Sequence, residues 1–522
     1  MFSKVSHLEG LVEEDEVLFS TPFDYFFPEA ARSEACLLPT SEATWEILKH
    51  LADCMGDPGN PDELPAEDLD STIPAIFTYF GQFIDHDLTA RTDRDGSVTA
   101  IGNGASVLPL NPDEVVSNLR NGRRPTLDLD SVFGDGPALV AGAKTQSQIL
   151  FDDALRMHVY ENEDGNHFDL PRGKRVNAEG NISYPAIIAD ARNDENVMIS
   201  QLQTAFIKFY NAIYDTLPGT NPEGYIQARQ LASWAYQHVV IHDYLKNVCD
   251  PNIVEDTLLN GPRFIGASVG RAGSFMPLEF SVAAFRFGHS MIRSSYELNN
   301  LTGNLELLDL LETGNKPDNF EQVDPDGSHQ LISEWVIDWN KFVGADAQKA
   351  RKIDAKIARG LFSLGRTGPI LKHLARSNLV RGYNLSIPIG QAMCDAFGIF
   401  PLQPNQILDC GDVEDDCKAT SLNESWVDYR TPLWYYILRE AAVQQDGNRL
   451  GELGSRIVSE TIINLIKQDP NSFFNNCCHP AVEKDANGNV TGVRVAEGEN
   501  GLIATLQDIL VFAGVHVPNA AE

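Results

Sequence analysis

The chain has 522 residues, 43% of them hydrophobic, and 40 basic against 74 acidic side chains give it a formal net charge of -34. Such a length allows about three domains or one large fold, and the acidic excess would repel a phosphate backbone, which argues against nucleic acid as a partner. No apolar run approaches 18 residues, so no membrane span is expected, and the start "MFSKVSHLEG" has no apolar centre like a signal peptide's. The expectation is a soluble, leaderless protein, cytoplasmic unless exported by a signal of another kind. Eight cysteines are too sparse for a disulfide scaffold, and no CxxC pair suggests zinc.

In chain order, the first segment with chemical content is "FGQFIDHDLT", residues 80–89. Ile76, Phe77, Tyr79, Phe80, Phe83 and Ile84 make it an apolar helix, yet it carries Asp85, His86 and Asp87 in a row. At roughly 100° per residue, Gln82, Asp85 and His86 share one face while Asp87 turns away. A lone buried histidine is more often a satisfied core residue, so this segment alone supports either reading. Next, "IIADARNDENVMISQL" (187–202) passes from an apolar run through Arg192, Asn193, Asp194 and Glu195 into a helix. Capping accounts for Asn193 or Asp194 but not for Arg192. Helical periodicity then dominates at 198–217, 226–248 and 450–468, and period-two strands are hard to find. In "AAFRFGHSMI" (283–292), His289 lies in an aromatic and small-residue helix with Arg286 before it, and Ala283 and Ala284 leave room for a large planar body.

Irregular stretches rich in Gly, Asp, Asn and Pro lie at 55–72, 91–136, 161–181, 315–328 and 403–423. Within the last, "DCGDVEDDCKATS" (409–421) reads as an exposed acidic insertion rather than a cation site or a Cys410–Cys417 loop. In "CCHP" (477–480) the adjacent cysteines make poor chelate geometry and read as free, buried thiols. No repeat or composition break marks a domain boundary. The expected architecture is mainly α, a single large helical domain over 26–518 behind an N-terminal arm of residues 1–25.

Two histidines, an arginine and carboxylates set in apolar helices suggest a buried cofactor whose metal one imidazole ligates while the other does acid–base work. Several ordered motifs carry a specific resemblance: "FTYFGQFIDHDLT", "LDLDSVFG", "DARNDEN", "MPLEFSVAAFRFGHSMIR", "SNLVRGYNLSIPIGQ" and "TPLWYYILREA". From about residue 70 to about 470 the sequence resembles the animal-type haem peroxidases of the peroxidase–cyclooxygenase superfamily, and looks most like their bacterial members.

The resemblance implies a haem b enzyme that reduces hydrogen peroxide and oxidises small donors such as phenols, iodide, bromide or thiocyanate. It implies His86 as the distal base, Arg192 as the stabiliser of negative charge on the departing oxygen, and Gln82 beside the distal water or halide. His289 would ligate the haem iron with Asn378 accepting a hydrogen bond from its other ring nitrogen, Arg381 would pair with a haem propionate, and Arg286 would lie against the cofactor. Asp85 and Glu195 match the carboxylates ester-linked to haem in vertebrate members. Asn196 stands where some members carry a sulfonium-forming methionine, so that bond and facile chloride oxidation are not expected. A calcium ion is implied at Asp87, Arg124, Thr126, Asp128 and Asp130; Arg124 replaces a threonine ligand and offers only its carbonyl. The rival reading is a fatty-acid dioxygenase or cyclooxygenase relative. Such enzymes place a radical tyrosine three residues before the proximal histidine, where this chain has Arg286.

Overall fold

The structure, a computed structural model, describes residues 21–57, 69–89, 91–93, 108–137, 150–218, 222–265, 275–323, 329–364, 372–408 and 425–518. The acidic stretch 409–421, with Cys410 and Cys417, lies outside the described residues. As expected, the fold is mainly helical. Among the described residues no strand exceeds five residues, and most pair as isolated two-stranded ribbons.

Helix Ile76–Leu88 sits at the centre of the core because it is apolar nearly all round: eleven of its residues are buried, His86 and Asp87 included. Phe80 and Phe83 stack on Phe206 at centroid distances of 6.3 and 4.6 Å, which docks it on helix Val197–Thr216. That partner buries fourteen residues of its own. Gly81 faces Tyr244 so closely that a Cβ there would lie 2.4 Å from the phenol oxygen. Only glycine fits.

The helix expected over 226–248 forms as Glu223–Val239, continued through one wide π turn at Val240–Tyr244 into Leu245–Val248. The helix expected over 450–468 forms as Glu452–Gln468. Around "AAFRFGH" the regular helix expected does not form. A π turn at Glu279–Ala283 runs into a tight 3-10 segment, Ala284–His289. Side chains take carbonyls that a regular ladder would use: Arg286 Nε donates to the Ser281 carbonyl at 3.1 Å, and Trp434 Nε1 donates to the Arg286 carbonyl at 3.1 Å. Trp434 belongs to helix Leu433–Gln445, which packs against this segment and against helix Leu374–Asn384.

The arm expected over 1–25 joins the domain from Thr21 onward. Thr21–Asp24 pairs antiparallel with Leu119–Asn121 and parallel with Met276–Pro277. Tyr25 and Phe26 are fully buried, and Phe26 donates its backbone N–H to Glu279 at 2.7 Å. Pairing and aromatic burial outweigh the freedom of a tail. The vicinal cysteines are free as expected, but they are not buried: Cys478 is exposed and Cys477 half-buried.

Candidate functional site

The His86 helix and the loop 184–196 meet at three side-chain pairs. His86 Nδ1 lies 2.8 Å from Asn193 Oδ1. Asn193 in turn donates its Nδ2 to Gln203 at 2.8 Å, so the amide oxygen faces the ring and accepts from Nδ1–H. The proton is therefore held on Nδ1 and Nε2 keeps its lone pair. Burial, helped by the Arg192 charge, lowers the His86 pKa, so the ring is a neutral base at neutral pH. Further up the helix, Gln82 donates to Glu195 at 3.3 Å and accepts from Asn196 at 3.1 Å.

Arg192 is clamped rather than free. Its Nε donates to Asp190 Oδ1 at 3.1 Å, and its Nη2 donates to Asp190 Oδ2 at 2.7 Å and to the His86 carbonyl at 2.9 Å. Asp190 is fully buried and also pairs with Arg123. Burial alone would raise its pKa, yet the two guanidiniums hold it far below the usual carboxylate range. Asp194 likewise pairs with a buried arginine, Arg172, at 2.9 Å, and Arg172 spans back to Asp169 at 2.8 Å.

These contacts correct the capping expectation. The cap of helix Val197–Thr216 is Asn196, whose side chain accepts the Ile199 N–H at 3.0 Å. Asn193 and Asp194 do other work. Asn193 was expected only as a cap, and Asp190, Arg123 and Arg172 carried no expectation from the sequence. The signal that could have found Asp190 and Asp194 is an Asp on each side of an arginine in "DARND".

On the other side, Asn378 on helix Leu374–Asn384 meets His289 Nδ1 at 2.7 Å, as expected, but through its amide nitrogen. That arrangement makes Nδ1 the acceptor. Metal ligation through Nε2 would leave the proton on Nδ1 and require the near-isosteric turn of the amide that presents its oxygen. Trp434 stands edge-on to the His289 ring at 6.5 Å. Gln82, Asp85, Arg192, Arg286, His289 and Arg381 all retain partial solvent access, and Glu195 is exposed, on elements that otherwise bury their side chains. Asp85 accepts from Thr89 Oγ1 at 3.0 Å.

A family model for the animal haem peroxidase matches residues 113–388, just over half of the chain. The chain belongs to the animal haem peroxidase family. The match contains Arg192, Glu195, His289, Asn378 and Arg381, whereas Gln82, Asp85 and His86 precede it. Among curated proteins, a "Peroxidase-like protein" of Margaritifera margaritifera is 24% identical over 44% of this chain and 33% of its own length. Human "Thyroid peroxidase" is 25% identical over 33% of this chain and 19% of its own length. The chain thus spans a third or less of the curated relatives it matches. "Peroxidase A from Dictyostelium discoideum" superposes with a TM-score of 0.54 at 13% identity, covering 90% of this chain and 91% of that one, a likeness of fold.

The residues present fit the family's haem. A Cβ built on Gly288 or on Gly382 would meet nothing within 4 Å, so there is open space directly beside His289 and beside Arg381. Ala283 and Ala284, the residues expected to leave that room, are instead packed in the core.

The loop expected to hold calcium is assembled differently. Asp87, which turns away from the His86 face as expected, accepts the N–H groups of Leu129 and Ser131 at 3.1 Å each. The carbonyls of Arg124, Thr126 and Asp128 accept from Thr126 N, Gln237 Nε2 and Ser233 Oγ at 2.8, 3.1 and 3.1 Å. Among the described residues no three metal-ligating side chains converge on one point. Even so, Asp128 Oδ1, Asp130 Oδ1 and Ser131 Oγ are buried without a hydrogen-bond partner. Burial and the neighbouring Asp128 push the Asp87 pKa up, and burial, against the pull of Arg123, pushes that of Asp130 up. Leu127 and Leu129 hold left-handed φ values of 55° and 60°, a strain of roughly 1 kcal/mol or more each. The loop carbonyls and both Asp87 oxygens are thus taken by protein donors, and Asp128 Oδ1, Asp130 Oδ1 and Ser131 Oγ are left over.

Proposed function

We propose that this chain is a haem peroxidase that reduces hydrogen peroxide to water and oxidises small donors: phenols, iodide, bromide or thiocyanate. The observation that carries the reading is the 2.8 Å contact between His86 Nδ1 and the Asn193 amide oxygen. The Nδ1 proton is committed to Asn193, and burial keeps the ring neutral. Only Nε2 remains to take a proton from one peroxide oxygen and return it to the other. Arg192 stands over the same helix turn, held by Asp190 and the His86 carbonyl through Nε and Nη2. Nη1 is the nitrogen left out of these contacts, and its charge would offset the negative charge on the departing oxygen.

Haem, when bound, supplies the redox chemistry, giving peroxide two electrons that the donor restores. His289 Nε2 would hold its iron, with Asn378 orienting the ring. Arg381 would meet a propionate, Arg286 would flank the ring system, and Gln82 would bind the water or halide beside His86. Asp85 and Glu195 would bond or hydrogen-bond to the haem edge. A calcium ion among Asp87, Asp128 and Asp130, with the Arg124 and Thr126 carbonyls, would lock the loop that faces the His86 helix.

The rival reading, a fatty-acid dioxygenase, requires a tyrosine where Arg286 stands. That side chain is spent on the Ser281 carbonyl and cannot form a phenoxyl radical. The deciding experiment adds haem to the purified chain and compares peroxide-dependent oxidation of guaiacol or iodide with oxygen uptake on linoleate. Rapid linoleate-dependent oxygen consumption with weak phenol turnover would reverse the assignment.

A further inference from the structure

The residue beside the expected calcium carbonyl donor, Arg123, touches more of the site than Arg124 does. Its side chain is 14% exposed. Its Nε donates to the His86 carbonyl at 3.1 Å, its Nη2 pairs with Asp190, and its Nη1 stands 3.5 Å from Asp130. Arg192 donates to that same His86 carbonyl and pairs with that same Asp190. Two guanidiniums therefore share one buried carboxylate and one backbone oxygen, and one of them reaches on into the acidic loop.

We propose that Arg123 is a positioning residue: it holds Asp190, and through it Arg192, in register with the His86 backbone and ties that register to the loop carrying Asp128 and Asp130. The physical case is geometric. Two like charges at one carboxylate repel each other, and they stay together only because Asp190 and the His86 carbonyl accept from both. A planar fork with donors in fixed directions can reach Asp190, the carbonyl and Asp130 at once, which an ammonium cannot. Without Arg123, Asp190 is free to swing toward Arg192 alone, and the guanidinium that must meet peroxide moves with it. Displacements of about 1 Å in such a site cost up to roughly 100-fold in rate.

The role rests on the peroxidase reading, so the test begins with the unaltered full chain loaded with haem. If that chain takes up no haem or does not react with peroxide, the peroxidase reading fails and this role fails with it. If it does react, Arg123→Gln decides. The expected result, per haem bound, is a fall of about 10-fold or more in kcat/KM for hydrogen peroxide, with kcat/KM for guaiacol at saturating peroxide within about twofold. Cyanide affinity of the ferric protein, followed by its Soret shift and involving no turnover, is expected to weaken to a similar extent. Arg123→Lys, which keeps the charge and guards against a variant that fails to fold, should fall between the two. An unchanged peroxide constant in both variants, or equal losses in the peroxide and guaiacol constants, would show that Arg123 serves stability alone.

Discussion

The two histidine regions are built on different principles. Around His86 the polar groups are tied in chains: the ring to Asn193 and on to Gln203, Arg192 to Asp190 and on to Arg123. Around His289 the backbone is an irregular π and 3-10 segment, the ring meets Asn378, and open space lies at the adjacent Gly288. The first region is held by the protein's own side chains, which on the proposed function would keep a proton and a charge in fixed places before a substrate arrives. On the proposed function, the second would be completed by the haem that His289 holds.

The comparison can be broken most sharply at His289. Its replacement by alanine should abolish the Soret band of the reconstituted protein, and unchanged haem content would place the ligand elsewhere. On the other side, His86→Ala should leave haem content intact and slow the reaction with peroxide by on the order of 10² or more; stopped-flow mixing reads this directly. A smaller effect is expected at Asn193. Without its oxygen, nothing holds the proton on Nδ1, and a loss of about 10-fold in the peroxide reaction should follow, with donor oxidation unaffected. Equal loss in both would make Asn193 merely structural.

Asp87→Ala removes the acceptor of two buried N–H groups beside the His86 helix. A loss of about 2–4 kcal/mol is expected from thermal or denaturant unfolding, and a chelator should lower the Tm of the unaltered protein but not of the variant. A variant as stable as the parent would remove the loop from the site altogether. The smallest effect sits at the head of the His289 segment. Glu279 is fully buried, and burial pushes its pKa from 4.5 to about 7. Because the folded pKa is raised, its contribution to stability is present below about pH 4.5 and is lost as pH rises through 7. Glu279→Gln keeps an oxygen for the Phe26 N–H, so it should raise stability at pH 8, by at most about 3 kcal/mol, and change little at pH 4. A gain that does not depend on pH would show that the carboxyl is not protonated in the folded state.

Much of this was legible in sequence because it is local. Apolar residues every three or four positions gave the helices Ile76–Leu88, Val197–Thr216 and Glu452–Gln468, and the same periodicity put Asp87 on the opposite face from His86. The irregular run into His289 was not legible, since it depends on Trp434 and Arg286 taking backbone carbonyls across the fold. Nor was the cap: Asn193, Asp194 and Asn196 are all good capping residues by type, and which one caps is settled by what the other two find to bind.

By itself, then, the sequence determined the helical class and the faces of the His86 helix, because these follow from residue type and period, and it supplied the side chains on which the proposed function rests. Tertiary structure alone decided which partners fix them: Asn193 for the His86 proton, Arg123 and Arg172 for the two aspartates of "DARND", and the amide groups of Leu129 and Ser131 for Asp87. Those partners lie from 22 to 107 positions away along the chain. Burial makes each such pairing obligatory without saying in advance which distant donor will meet it.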